Sequence, residues 1–258
     1  MLKRIIFFAY GTFCYVVFLG VFLYAIGFIG NFGVPKTLDG VATGPLGISL
    51  AIDAGLLMIF AVQHSLMARK WFKAWWTRIV PQPVERSTYV LFSSLALILL
   101  FVFWQPLGGV VWSVNDPVGR LVLRVLFAFG WALLLYATTL INHFDLFGMR
   151  QVWFYLKGKS DHEMKFVTPG PYRLVRHPLY VGWLFAFWMT PLMTSAHLLF
   201  SIATTAYILV AIQFEERDLV REYGNAYEEY KQAVPMLVPS LRKRGSKQAA
   251  INAPERLT

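Results

Sequence analysis

The chain has 258 residues, 57% of them hydrophobic and only 15% charged, with a formal net charge of +10. A soluble domain of this size carries about 25% charged residues, so the composition excludes an ordinary water-soluble enzyme. The basic residues sit in short segments between apolar runs, which is the signature of membrane topology rather than of nucleic-acid binding; the single cysteine, Cys14, excludes an internal disulfide and a cysteine-based metal cluster.

Lys3 and Arg4 precede the first uncharged run, 5–35. It is too long for the apolar part of a signal peptide and no A-x-A site follows, so it reads as a span rather than a cleaved leader. The second run, 46–68, is interrupted only by Asp53. Beyond it come Arg69, Lys70, Lys73, Arg78 and Arg86 against Glu85. Runs 87–115, 125–144 and 179–214 complete the apolar part, and each exceeds the roughly 18–20 residues that cross a bilayer core as a helix.

The last run has 36 residues. As one helix it would be about 54 Å long, too long for a single crossing. Thr190-Pro191 lies near its middle, which predicts helices over 179–193 and 197–216 joined by a tight outer turn. Loops rich in Lys and Arg alternate with loops poor in them, placing both termini in the cytoplasm. The expected fold is all-α: a polytopic transmembrane helical bundle of six apolar segments with a C-terminal helical hairpin. It forms one domain, 1–241, followed by a polar, basic tail, 242–258, expected to be disordered.

Three polar clusters fall on the cytoplasmic side. The stretch TPGPYRLVRHPLYVGW, 168–183, gathers Tyr172, Arg173, Arg176, His177 and Tyr180, with Pro178 just inside a helix start. The stretch EERDLVREYGNAYEEYKQAVPMLVP, 215–239, carries Glu215 and Glu216 at the membrane edge and Tyr223, Tyr227 and Tyr230 at helical spacing. The third, INHFDLFGMRQVW, 141–153, holds Asn142, His143, Asp145 and Arg150, while His64 stands apart in QHSLMAR. Singly, such residues belong to an aromatic belt or touch lipid head groups. A tight hairpin, however, brings residues near 178 and 215 to one depth, and converging ionisable groups at that depth are costly and mark function.

The pattern Gly-Pro-Tyr-x-x-x-Arg-His-Pro-x-Tyr-x-Gly, followed after a hairpin by Glu-Glu and then Tyr-Gly-x-x-Tyr-x-x-Tyr-x-x-x-Val-Pro, resembles the C-terminal half of integral-membrane S-adenosylmethionine methyltransferases. Isoprenylcysteine carboxyl methyltransferases, bacterial phospholipid methyltransferases and NnrU-like proteins belong to this group. The resemblance covers 168–239, and QHSLMAR and INHFDLFGMRQVW extend it toward the methanethiol S-methyltransferase branch. It implies S-adenosylmethionine as cofactor, with His177, Tyr180, Gly182, Glu215 and Glu216 lining its pocket and Arg176 and Tyr172 as further candidates. Gly182 would let the nucleoside approach the helix backbone. A sulfonium and an ammonium suit carboxylates and aromatic faces, and no strand with a Gly-x-Gly-x-Gly loop suggests a soluble dinucleotide-type fold.

Methylation of sulfur is an in-line displacement that benefits from a deprotonated thiol. His143, oriented by Asp145 with Arg150 stabilising nearby negative charge, is the first candidate base, and His64 the second. The i, i+2 spacing of His143 and Asp145 requires a bend for them to pair. The implied function is transfer of a methyl group to a small thiol, foremost methanethiol to give dimethyl sulfide, at the cytoplasmic face of a bacterial inner membrane. The expected partners are a small-molecule thiol and the lipid bilayer, with no nucleic acid. Open alternatives are an isoprenylcysteine or phospholipid acceptor and a non-catalytic NnrU-like membrane factor. A transporter would show broken or charged segments in both halves, whereas here the polar groups crowd one side.

Overall fold

The computed structural model describes residues 1–159 and 166–240; the expected tail lies outside them. Among the described residues, five helices are long and apolar enough to cross a membrane: α1 (Leu2–Gly30), α2 (Leu46–Ala68), α4 (Gln82–Phe103), α5 (Pro117–Leu140) and α9 (Ser195–Tyr223). Between them lie α3 (Lys70–Trp76), α6 (His143–Leu146), α7 (Met149–Lys157), α8 (Pro178–Trp188) and, last, α10 (Asn225–Ala233). The six apolar segments expected from the sequence are α1, α2, α4, α5, α8 and α9.

Local chemistry explains the boundaries. Asp116 caps α5, its carboxylate accepting the Gly119 N–H at 2.7 Å, with Pro117 at the first helical position. At the other end Asn142 takes a left-handed φ of 80°, so α5 stops at Leu140 and the chain re-enters the one-turn α6. The fourth apolar run therefore ends short of the expected 144, because asparagine tolerates this conformation and breaks the helix there.

The hairpin also departs from expectation. Helix α8 ends at Trp188 rather than 193, and the connection is an extended segment rather than a tight turn. Pro191 disfavours helix at Thr190. Leu192–Thr194 forms a strand, β2, antiparallel to β1, Val110–Ser113. The Trp112 indole adds a bond to the Thr190 carbonyl at 3.1 Å. Eleven helical residues span only about 16 Å; the extended residues supply further reach, and the β1–β2 ladder satisfies their backbone groups, which an apolar medium demands.

The helices form a ring. Helix α1 packs on α4, α4 on α2, α2 on α9, α9 on α8, and α8 on α5. Phe22 of α1 meets Trp131 of α5 edge-on at 5.2 Å and closes it. The main core gathers Phe28, Leu100, Phe101, Trp104, Phe187, Phe200 and Ile212.

The closest approach is between α5 and α8. A methyl group on Gly182 would lie 2.7 Å from the Gly130 carbonyl oxygen and 3.0 Å from the Leu134 nitrogen. These are backbone atoms, which have no rotamer by which to yield. Gly182→Ala is expected to cost about 1–3 kcal/mol, read as a lowered thermal midpoint in detergent. Gly20→Ala, where nothing lies within 4 Å, is the control.

Candidate active site

Glu216 is the node of the cluster where α8 begins and α9 runs toward α10. Only 3% exposed, its carboxylate receives Arg176 Nε at 2.7 Å and His177 Nε2 at 3.1 Å on one oxygen. Lys231 Nζ approaches the other oxygen at 2.8 Å. Arg176 also donates to the Lys231 and Val234 carbonyls, capping the end of α10 with a cation where the helix dipole favours one. The Arg176 and His177 amides donate to the carbonyls of Pro235 and Met236, and the Tyr230 hydroxyl donates to the Tyr172 carbonyl at 2.6 Å. Three separate chain segments, 172–177, α9 and 230–236, are thus knitted around one carboxylate.

Its neighbour faces the other way. One residue is about a 100° turn on a helix, so Glu215 is exposed while Glu216 is buried. Glu215 accepts the Tyr180 hydroxyl at 2.9 Å and lies within electrostatic reach of Tyr172 and Tyr227. Burial, with the Glu215 carboxylate second, holds the Tyr172 phenol above its ordinary pKa. Burial, followed by both glutamates, does the same for Tyr227. These phenols remain protonated. The site is therefore an accessible carboxylate ringed by neutral aromatic hydroxyls, an arrangement that favours a cation. Gly182, expected to admit a nucleoside, has its free face taken by α5 instead.

The third cluster is rearranged. His143 and Asp145 do not pair, because on the single turn of α6 the i, i+2 spacing points them to different sides. His143 Nδ1 meets the Thr138 hydroxyl at 3.0 Å and Nε2 the Tyr15 hydroxyl at 2.9 Å. Burial holds the His143 imidazole below its ordinary pKa. Asp145, itself buried, accepts Gln151 Nε2 at 2.5 Å and lies 3.6 Å from Arg150 Nη1. Asp145 and Arg150 thus bind the α6–α7 corner together, and neither touches His143. His64 lies on α2 against α4, beside Tyr89 and Ser93. Sequence reasoning missed Tyr15, Thr138, Tyr89, Ser93, Tyr207 and Lys231, whose polar groups meet these clusters. The i, i+4 spacing of Tyr89 and Ser93 along an otherwise apolar run was the one available signal.

A family profile described as phospholipid methyltransferase matches 122–226, from within α5 to the start of α10. The chain is 56% identical over 243 residues to a methanethiol S-methyltransferase of Crocosphaera subtropica, covering 94% of this chain and 95% of that one. The chain belongs to the methanethiol S-methyltransferase family. A member from Mycobacterium tuberculosis is 50% identical over 92% of this chain and 98% of its own length. Nurim of Sus scrofa is 32% identical over 67% of this chain and 68% of its own. No solved structure matches. The phospholipid methyltransferase profile takes in Tyr172, Tyr180, Glu215 and Glu216. His64 and Tyr89 lie outside it, within the longer stretch shared with the Crocosphaera methanethiol S-methyltransferase.

Proposed function

We propose that the protein transfers the methyl group of S-adenosylmethionine to methanethiol, giving dimethyl sulfide, at the cytoplasmic face of the bacterial inner membrane. The observation that carries the cofactor reading is the exposed Glu215 carboxylate set among Tyr172, Tyr180 and Tyr227. When bound, S-adenosylmethionine supplies an electrophilic methyl group on a cationic sulfur. Glu215 and the rings of Tyr172 and Tyr180 fit that cation, with the buried Tyr227 behind them, and Tyr180, hydrogen-bonded to Glu215, fixes the carboxylate's orientation. Arg176, His177 and Glu216 hold the start of α8 against α9 and α10, so they shape the site's wall. The residues of the bundle exclude water, which strengthens electrostatics inside. The bias of Lys and Arg toward one set of loops supports the cytoplasmic orientation of this end.

A paired-ligand measurement tests the reading. S-adenosylhomocysteine is neutral at sulfur, whereas sinefungin carries an ammonium in its place. Glu215→Gln is expected to weaken sinefungin by about ten-fold or more, roughly 1.4 kcal/mol, and S-adenosylhomocysteine by less, in calorimetric titrations of nanodisc-embedded protein. Equal losses would remove the assignment of Glu215 to the cationic sulfur. Gas-chromatographic detection of dimethyl sulfide from methanethiol tests the acceptor, with a prenylcysteine and a phospholipid as competing acceptors.

A further inference from the structure

We propose that His64, held by Ser93 and Tyr89, is the group that takes the proton from the acceptor thiol. This rests on the thiol-methylation reading above and assigns the acceptor side of the same reaction.

The argument starts with the other histidine. The Thr138 hydroxyl donates to the Leu135 carbonyl at 2.8 Å, so toward His143 Nδ1 it acts as acceptor. His143 is thereby protonated at Nδ1, and its Nε2 lone pair receives the Tyr15 hydroxyl at 2.9 Å. Both nitrogens are committed within a shell of Phe144 and Phe147.

His64 is placed differently. Phe60 stacks on its ring at 5.2 Å. Ser93 Oγ lies 3.2 Å from Nδ1. The Tyr89 hydroxyl lies 3.0 Å from Nδ1 and 2.9 Å from Nε2. A single hydroxyl cannot lie along the lone-pair directions of both nitrogens, so Ser93 serves Nδ1 and Tyr89 serves Nε2, each nitrogen with one hydroxyl partner. The titratable groups facing the ring are Tyr89 and Arg86 from α4; Tyr207 from α9 packs on Phe60, and it and Glu85 lie beyond Tyr89. Among the described residues no carboxylate hydrogen-bonds the ring, and the Arg86 guanidinium, 5.1 Å from the centre of the Tyr89 ring, places a cation beside the cluster where a thiolate would form.

The same cluster reaches the cofactor side. Tyr207 bonds Ser65, the neighbour of His64, at 3.0 Å. Tyr207 and Glu215 are eight residues apart on α9, about 12 Å along its axis and about 80° around it. Tyr180, whose hydroxyl bonds Glu215, lies within electrostatic reach of both Tyr207 and Tyr89. In the step, the thiol displaces the Tyr89 hydroxyl and the S–H proton moves to Nε2 of His64. The thiol sulfur then forms a bond to the methyl carbon as the carbon–sulfonium bond breaks. The electron pair stays on the departing neutral thioether, and the proton passes from His64 to cytoplasmic water.

The test uses full-length protein in nanodiscs, with His64→Ala and the nearly isosteric His64→Asn. Rates are measured against pH with methanethiol and with an aromatic thiol already ionised at neutral pH. Loss of a general base costs about 10²–10⁴-fold. Both variants are expected to lose that factor with methanethiol, to regain rate as pH rises, and to methylate the aromatic thiol at near wild-type rates. Their S-adenosylhomocysteine affinity should stay within about two-fold of wild type, which also shows that they fold. Tyr89→Phe should shift the acid limb of the pH profile with a smaller loss. Should the foldable variant lose the same factor with both thiols, or keep the wild-type rate with methanethiol, the assignment is overturned. Wild-type protein that binds S-adenosylhomocysteine yet methylates no thiol overturns the underlying reading itself, and that result is visible without any variant.

Discussion

Glu216→Ala is expected to lower the thermal midpoint by roughly 10 °C, whereas Glu215→Gln leaves it nearly unchanged. The two residues are adjacent and chemically identical, so the contrast isolates their surroundings. Removing the Glu216 side chain leaves Arg176 and His177, 9% and 5% exposed at their side chains, without the carboxylate they share. Breaking a buried ion pair by deleting one partner costs about 3–5 kcal/mol, because the remaining charge stays desolvated. Lys231 adds little, since its side chain is 45% exposed and solvent screens it. With the node gone, α10 and the 235–236 segment lose their tie to 176–177, and S-adenosylhomocysteine binding falls with them. Glu215 is exposed, and glutamine there keeps an oxygen for the Tyr180 hydroxyl. Scanning fluorimetry of both variants in one detergent checks the pair; equal shifts would show that Glu216 is not the structural node.

Asp39→Ala should produce a loss of similar size at the opposite end of the bundle. Asp39 lies in the loop between α1 and α2. It accepts the Thr194 hydroxyl at 2.5 Å and His197 Nδ1 at 2.9 Å, and the Asn31 amide donates to it as well. His197 is fully buried, and its Nε2 meets the Phe187 carbonyl at 2.9 Å. The ring therefore sits between the Asp39 carboxylate and a backbone carbonyl. Deleting the carboxylate strands that ring in an apolar core, a loss of about 3–5 kcal/mol. Burial by itself would raise the Asp39 pKa, but the bonds from His197, Thr194 and Asn31 together hold it below the ordinary carboxylate value. A carboxyl whose folded pKa is depressed contributes stability above its unfolded pKa, near 3.9, and loses it as pH falls through the lower folded value. The wild type should therefore lose stability below about pH 4, and Asp39→Asn should flatten that part of the curve. Thermal midpoints of both proteins across an acid pH series measure the difference.

Both clusters show where sequence reasoning reaches and where it stops. The apolar runs announced a helical membrane protein, and the positions of Lys and Arg suggested which end carried the polar groups. The break at Thr190-Pro191 split the last run in two, and the adjacency of RHPLY and Glu-Glu across that hairpin was legible because the two strings are joined by one short connection. The union of Arg176 and Glu216 was within reach for that reason. The union of Asp39 with His197 was not: the two lie 158 residues apart, and neither stands out in its own segment.

The sequence by itself determined which segments are apolar helices, roughly where they lie and which ends are polar, because an apolar medium sorts residues by depth along the helix axis and composition records depth directly. Only the tertiary structure decided rotation about those axes and the choice of neighbours. A turn of 100° separates the bound Glu216 from the open Glu215. The i, i+2 spacing sends Asp145 away from His143, which finds Tyr15 128 residues earlier instead. Gly182, which the sequence offered to a ligand, is claimed by Gly130. Hydropathy is nearly blind to such choices, since lipid-facing and core-facing side chains are equally apolar in a bilayer and helix partners are selected by close packing and a few hydrogen bonds.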